Sequence, residues 1–290
     1  VKVKKRQVEF YPYAQSALME LPADHEVLLG RQNPPKLIGD NTVLYLEDIP
    51  VLMRLDGWRD HQAMIGEVYE ALCLHDFPMG GVKRIHTGAA YVGTSWGTTE
   101  RRDIRKRMGV QMSRWSTDHP RDHWLLTELT NEAWRLLEEH CQPMWYAMGS
   151  APQAQEHWRI GNTPYTSGVI NVNAPLPYHK DRGNVPDTGS AMWTFNPSGN
   201  VGGGHLHIPS LNVIIRCGHG TLVVFYGEKF WHGVTRMQPS SKRFVKRISV
   251  VTYSKRGILK AGPPMDEHKQ AAIRGTRAMD DIRDTVIKHN

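Results

Sequence analysis

Cysteine is scarce in this chain. Cys73, Cys141 and Cys217 are all that occur in 290 residues, an odd number at wide spacing with no CxxC pair. That excludes a disulfide framework and a cysteine-built zinc site, and predicts reduced, buried thiols in a cytoplasmic protein. Long apolar runs are missing as well. The most apolar stretch, Val223 to Phe225, is bounded by Gly220 and Gly227 and falls far short of a membrane span. No apolar segment follows the basic start Val1 to Arg6, so no secretory signal is read there. Internal repeats and low-complexity segments are absent, and nothing points to a protein partner or a membrane. What is present is an ordinary globular composition, 40% apolar and 22% charged. A net charge of +7 favours a polyanionic partner without specifying a fold.

The pattern of elements changes part-way along. In residues 61–74 the apolar positions Met64, Ile65, Val68, Tyr69, Leu72 and Cys73 recur at helical spacing. A second helix is expected from about Asp122 to Cys141, ended by Pro143. Short strands separated by Gly and Pro turns then follow, at 166–172, 191–195, 204–208, 212–216, 221–226 and 245–253. A last helix is expected from Met265 to about Lys288. This order predicts an α+β fold: a double-stranded β-helix, or jelly roll, with supporting helices. Residues 1–164 would pack as a helical and extended region on a core formed by 165–290, within one integrated domain.

The chemistry-bearing residues lie in the second segment. His179-Lys180-Asp181, with His232 far downstream, has the ligand types of the 2-His-1-carboxylate facial triad of non-heme Fe(II) oxygenases. On a strand or its end, His179 and Asp181 would point to one face. Three ligands on one face leave the opposite positions of an octahedral ion open. Alternation in Arg247-Ile248-Ser249-Val250 sets Arg247 and Ser249 on one face, an arginine and a hydroxyl suited to gripping a carboxylate. A rival pair, His205 and His207, also has i, i+2 spacing. It is disfavoured because only the first set is followed by the arginine–serine strand. His219 sits in a glycine turn and is read as structural or exposed.

Together, Tyr178 to Asn184, Trp231-His232 and the strand Arg247 to Tyr253 resemble the TET/JBP dioxygenases, over roughly residues 165–256. The resemblance implies Fe(II) held by His179, Asp181 and His232, and 2-oxoglutarate anchored by Arg247 and Ser249. It implies oxidation of the C5-methyl group of a pyrimidine in DNA, with Asn184 touching a flipped base. The compact spacing is similar to that of phage and protist forms. Lys255 stands where 5-methylcytosine oxidases of the family carry a base-binding histidine. Lysine only donates hydrogen bonds, and Asn184 can donate or accept, so 5-methylcytosine is the first expectation and thymine the alternative.

A DNA-processing enzyme also needs phosphate contacts. Arg101, Arg102, Arg105, Lys106 and Arg107 form one basic cluster, and Lys242, Arg243 and Lys246 a second. Trp96 and Trp115 flank the first and are expected to stack on bases or wedge between them. Two further readings stay open. One is a 2-oxoglutarate hydroxylase acting on a free nucleotide, protein or small molecule; the other is an inactive DNA-binding module.

Overall fold

Side-chain alternation on one central strand decides how the layers form. The computed structural model describes residues 2–11, 18, 34–57, 61–77, 93–103, 106–197, 201–239 and 246–272. Its early strands are β1 (Lys4–Val8), β2 (Lys36–Ile38), β3 (Thr42–Leu46), β4 (Ile49–Asp56), β5 (Thr94–Asp103) and β6 (Lys106–Met112). The helices α1 (Gln62–Cys73), α2 (Arg114–Asp118), α3 (Pro120–His140) and α4 (Gln142–Ser150) complete the first half. Then come β7 (Ser167–Val172), β8 (Ser190–Phe195), β9 (Val201–Gly203), β10 (Leu206–Ile208) and β11 (Val213–Ile215). The last strands are β12 (Thr221–Phe225), β13 (Gly233–Val234), β14 (Met237–Pro239) and β15 (Ile248–Tyr253).

A nine-stranded sheet runs β1-β3-β4-β12-β8-β15-β7-β5-β6, and a four-stranded sheet runs β13-β10-β11-β2. Two facing sheets with covering helices are the expected jelly-roll architecture. Strands from before and after residue 165 share the large sheet. In β15, Val250 stands opposite Trp193 of β8 and Ile170 of β7. These residues face the helices, and the Trp193 indole Nε1 donates to the Leu129 carbonyl of α3 at 3.2 Å. The alternate residues Ser249, Val251, Met192, Val169 and Asn171 turn to the other face and line a cleft. Helix α3 buries Leu125, Leu126, Leu129, Ala133, Leu136 and Leu137 against the sheet. Burying one such leucine contributes about 1.5–3 kcal/mol.

Several boundaries moved. Helix α3 starts at Pro120, whose fixed φ and missing N–H suit a first helical turn. Pro143 does not end that helix. The break is at Cys141, with φ −147°, and Pro143 sits in the opening turn of α4. The hairpin β5–β6 occupies what reads in the sequence as a glycine loop and a charge run. The C-terminal helix is present over 264–272, and its expected continuation lies outside the described residues. Cys141 and Cys217 are buried and Cys73 half-buried, all as free thiols. Among the described residues no helix is long and apolar enough to cross a membrane.

Candidate active site

His179 and His232 lie on separate loop segments joined by an isolated antiparallel bridge rather than on a regular strand. The His179 N–H donates to the His232 carbonyl at 2.9 Å, and the His232 N–H returns the bond at 3.0 Å. This sets the imidazoles side by side, with ring centroids 4.3 Å apart. Each Nδ1 faces a carbonyl two residues back: Pro177 O at 2.9 Å from His179, and Phe230 O at 3.0 Å from His232. A carbonyl accepts only, so Nδ1 of each ring carries the proton and Nε2 keeps its lone pair for a metal. Both Nε2 atoms approach Asp181 Oδ1, at 3.6 and 3.9 Å. The three ligand atoms lie within 4.8 Å of one another. Ligands bound at roughly 2.1 Å and a right angle to each other stand about 3 Å apart, so a small contraction would enclose an ion.

Asp181 is itself held. Its N–H donates to the Gly227 carbonyl at 3.0 Å, and the Ser190 hydroxyl donates to its Oδ2 at 3.4 Å. A Cβ on Gly227 would come within 2.3 Å of that same oxygen, so the close approach requires glycine. Asn184 is buried, and its Nδ2 donates to Ser190 Oγ at 3.1 Å. The amide thus stands behind the carboxylate, outside the wall of the cleft. Lys255 is bridged to Asn184 through the backbone, and its Nζ lies 3.4 Å from the Glu100 carboxylate.

The cleft beside the triad is lined by Asn171, Met192, Phe225, Ser249 and Tyr253 among others. Arg247 lies behind it, 2% exposed, its Nη2 donating to the Gly204 carbonyl and its N–H to Asn173 Oδ1 at 2.8 Å. Burial pushes its guanidinium pKa down from the usual value, and its Nε is buried without a partner. A buried cation with an unfilled donor is costly unless a counter-charge arrives. Asn171, opposite Ser249 across β7 and β15, lines the same cleft, where its amide Nδ2 can donate to a carboxylate. These residues fit a dicarboxylate. Arg54 is a second buried guanidinium; its Nε donates to the Arg216 carbonyl at 3.0 Å, while Nη1 is unpartnered. Neither Asn171 nor Arg54 is marked in the sequence, because their burial depends on strands distant in the chain.

The rival histidines go elsewhere. Burial, then the charges of Arg247, Arg216 and Arg54, lower the His205 pKa to about 4, and its neutral Nδ1 accepts from the Cys217 N–H at 3.3 Å. The buried His207 pairs through Nδ1 with the Tyr178 hydroxyl at 2.5 Å. His219 Nδ1 accepts from the Asn196 N–H at 3.2 Å, a structural contact.

Trp96 must be corrected. It is fully buried, stands opposite Gly168 in the sheet, and packs edge-on against His123 with ring centroids 5.9 Å apart. A Cβ on Gly168 would lie 2.1 Å from the indole nitrogen, so the ring fills the space that glycine leaves. It is a core residue and cannot stack on a base. Trp115 is half-buried, packed against Phe77. Arg101 and Arg102 lie on β5, Lys106 and Arg107 on β6, with their side chains outside the described residues. Arg105, Lys242 and Arg243 lie outside the described residues altogether.

No protein-family model matches the chain. A curated relative, the bifunctional helicase and thymine dioxygenase JBP2 of Trypanosoma cruzi, is 26% identical over 179 residues, covering 57% of this chain but 16% of the relative. The match therefore spans a small part of that protein's length. Among solved structures, NgTET1 in complex with 5mC DNA superposes with a TM-score of 0.52 at 13% identity, covering 86% of this chain and 94% of that one. The chain is similar to JBP2 in sequence and to NgTET1 in fold. The likeness to NgTET1 extends over most of the chain and bears out the jelly-roll fold.

Proposed function

We propose that this chain oxidises the C5-methyl group of a pyrimidine in DNA, with 5-methylcytosine as the first substrate. One observation carries the reading: two imidazoles, each fixed through Nδ1 to a carbonyl, aim Nε2 at the Asp181 carboxylate beside a cleft backed by Arg247. His179, Asp181 and His232 would hold Fe(II), and Arg247, Ser249 and Asn171 would hold 2-oxoglutarate. Bound there, this pair of cofactors supplies oxidative decarboxylation coupled to hydroxylation of an unactivated C–H bond.

The chain's own work is placement and exclusion of water. Ser190 and Asn184 keep the Asp181 carboxylate turned to the histidines. Arg247 meets the distal carboxylate with a buried, pre-set donor, and Met192, Leu206, Val234 and Val251 keep the cleft apolar where the methyl group must sit. A base inside a duplex cannot reach such a cleft, so the target nucleotide is flipped or single-stranded. Lys255, steadied by Glu100 two residues beyond the cleft-lining Tyr253, would read the base edge. Strand β5 pairs with β7, which carries Val169 and Asn171 of the cleft, so the basic hairpin β5–β6 stands beside the cleft-lining strand. Arg101, Arg102, Lys106 and Arg107 of that hairpin would contact phosphates, and the charge of Arg105, Lys242 and Arg243 suits them to the same task.

A second reading, thymine oxidation, is favoured by Lys255, which donates to thymine O4 but offers no acceptor to the cytosine amino group. The T. cruzi relative is itself named a thymine dioxygenase. The discriminating assay measures succinate formed from 2-oxoglutarate with 5-methylcytosine DNA, unmodified DNA, free nucleotides and peptides. DNA-dependent succinate supports the proposal. Turnover stimulated only by nucleotides or peptides would replace it with another 2-oxoglutarate hydroxylase, and DNA binding without succinate would replace it with an inactive binding module.

A further inference from the structure

A second group of two histidines and one carboxylate lies in the helical layer, on the face of the large sheet turned away from the cleft. His75 follows α1, while His119 and Asp122 stand three residues apart at the start of α3. One ligand atom from each lies within 4.8 Å of the others. His75 Nε2 is 2.6 Å from Asp122 Oδ2, and the His75 and His119 rings are 4.4 Å apart. Trp115 packs against both rings, at 5.5 and 5.4 Å, and Phe77 against His75 at 5.6 Å. The side chains of His75 and Asp122 are 18% and 16% exposed, so the group is walled by aromatics yet reached by water.

We propose that His75, His119 and Asp122 form a second metal site that takes Zn²⁺ with one water as fourth ligand. Two nitrogens and one oxygen suit a borderline ion without redox chemistry, and three protein ligands plus water make a tetrahedral shell. Ligand atoms around such an ion stand about 3.3 Å apart, so the His75–Asp122 contact opens by less than 1 Å on binding. An ordinary ion pair between His75 and Asp122 would not require His119, whose ring lies against the same pair. The site joins the end of α1 to the start of α3. Lys246 reaches the same segment, donating to the carbonyls of Cys73 and His75 at 3.0 Å each. The metal would therefore pin the outer layer at the point where the chain enters β15.

The test uses the 290-residue chain stripped of metal, titrated with Zn²⁺ and counted by inductively coupled plasma mass spectrometry, with Co²⁺ as optical probe. The variant His179→Ala/Asp181→Ala should retain one equivalent of Zn²⁺ and show the visible absorption of four-coordinate Co²⁺. At about 100 times Kd, Zn²⁺ should raise its Tm by about 4–8 °C. Adding Asp122→Asn, which preserves side-chain shape, should abolish all three signals. His119→Ala should do the same, with circular dichroism confirming the fold. A His179→Ala/Asp181→Ala protein that binds no Zn²⁺, or one that binds it equally well after Asp122→Asn and His119→Ala, would overturn the proposal. Should the wild type bind one equivalent and lose it only with Asp122→Asn, the second site would stand and the iron-centre reading would fail instead.

Discussion

Asn184 and Asp181 are linked through one hydroxyl: the amide Nδ2 of Asn184 donates to Ser190 Oγ at 3.1 Å, and that oxygen donates to Asp181 Oδ2 at 3.4 Å. A chain of this kind orients a ligating carboxylate and sets its basicity. Asn184→Ala should therefore weaken Fe(II) binding by about tenfold to a hundredfold, the usual cost of losing a supporting group behind a ligand. Ser190→Ala should do the same, and the double variant should cost little more than either alone. The measurement is Fe(II) affinity by competition with a chelator. A changed base preference with unchanged Fe(II) affinity would return Asn184 to base recognition.

Arg247 should anchor the cosubstrate. Replacing it with Met removes a charge-assisted pair in a buried setting, worth roughly 1.5–3 kcal/mol, and should raise the 2-oxoglutarate KM about tenfold to a hundredfold. Asn171→Ala should raise it less, because a neutral hydrogen bond contributes about 0.5–1.5 kcal/mol. Steady-state kinetics in 2-oxoglutarate at saturating DNA measure both. An unchanged KM in Arg247→Met would move the anchor to another cation, with Arg54 the buried alternative.

Lys255 decides between bases in this account. If it reads the base edge, Lys255→His should shift the ratio of 5-methylcytosine to thymine turnover, since imidazole can accept as well as donate. If it reaches a phosphate instead, the same change should weaken all DNA equally and reduce the salt dependence of binding. Competition between the two DNAs in one reaction, at two salt concentrations, separates these outcomes.

The grouping of His179, Asp181 and His232 was legible in the sequence because metal-ligand chemistry allows few residue types, and HxD with a distant histidine supplies three of them. Arg247 and Ser249 were legible because strand alternation places them together whatever the rest of the fold does. Trp96 was not, since its burial depends on Gly168, a partner far along the chain that leaves room for the indole. Asn171 and Gly227 were missed for the same reason: each is defined by what a different strand or loop brings against it. The β5–β6 hairpin was hidden because its polar and charged residues break the apolar alternation that marks a half-buried strand.

His205 gives the fold an acid sensitivity. Its pKa of about 4 lies below the unfolded value near 6.5, with burial as the main cause. Between those values the unfolded chain binds more protons, so stability rises with pH. The contribution is complete above about pH 6.5 and is lost as pH falls towards 4. Denaturant unfolding at pH 7 and pH 5 should show this loss in the wild type and a smaller one in His205→Gln. Equal losses in the two proteins would assign the acid sensitivity to other groups.

The most direct measurement digests 5-methylcytosine DNA to nucleosides after incubation with the protein, Fe(II), 2-oxoglutarate and oxygen, and weighs the products by mass spectrometry. The account predicts 5-hydroxymethylcytosine with the wild-type chain and none with Asp181→Ala, whose circular dichroism should be unchanged. Undiminished product from Asp181→Ala, or no oxidised 5-methylcytosine or thymine from a wild-type protein loaded with iron and 2-oxoglutarate, would contradict it.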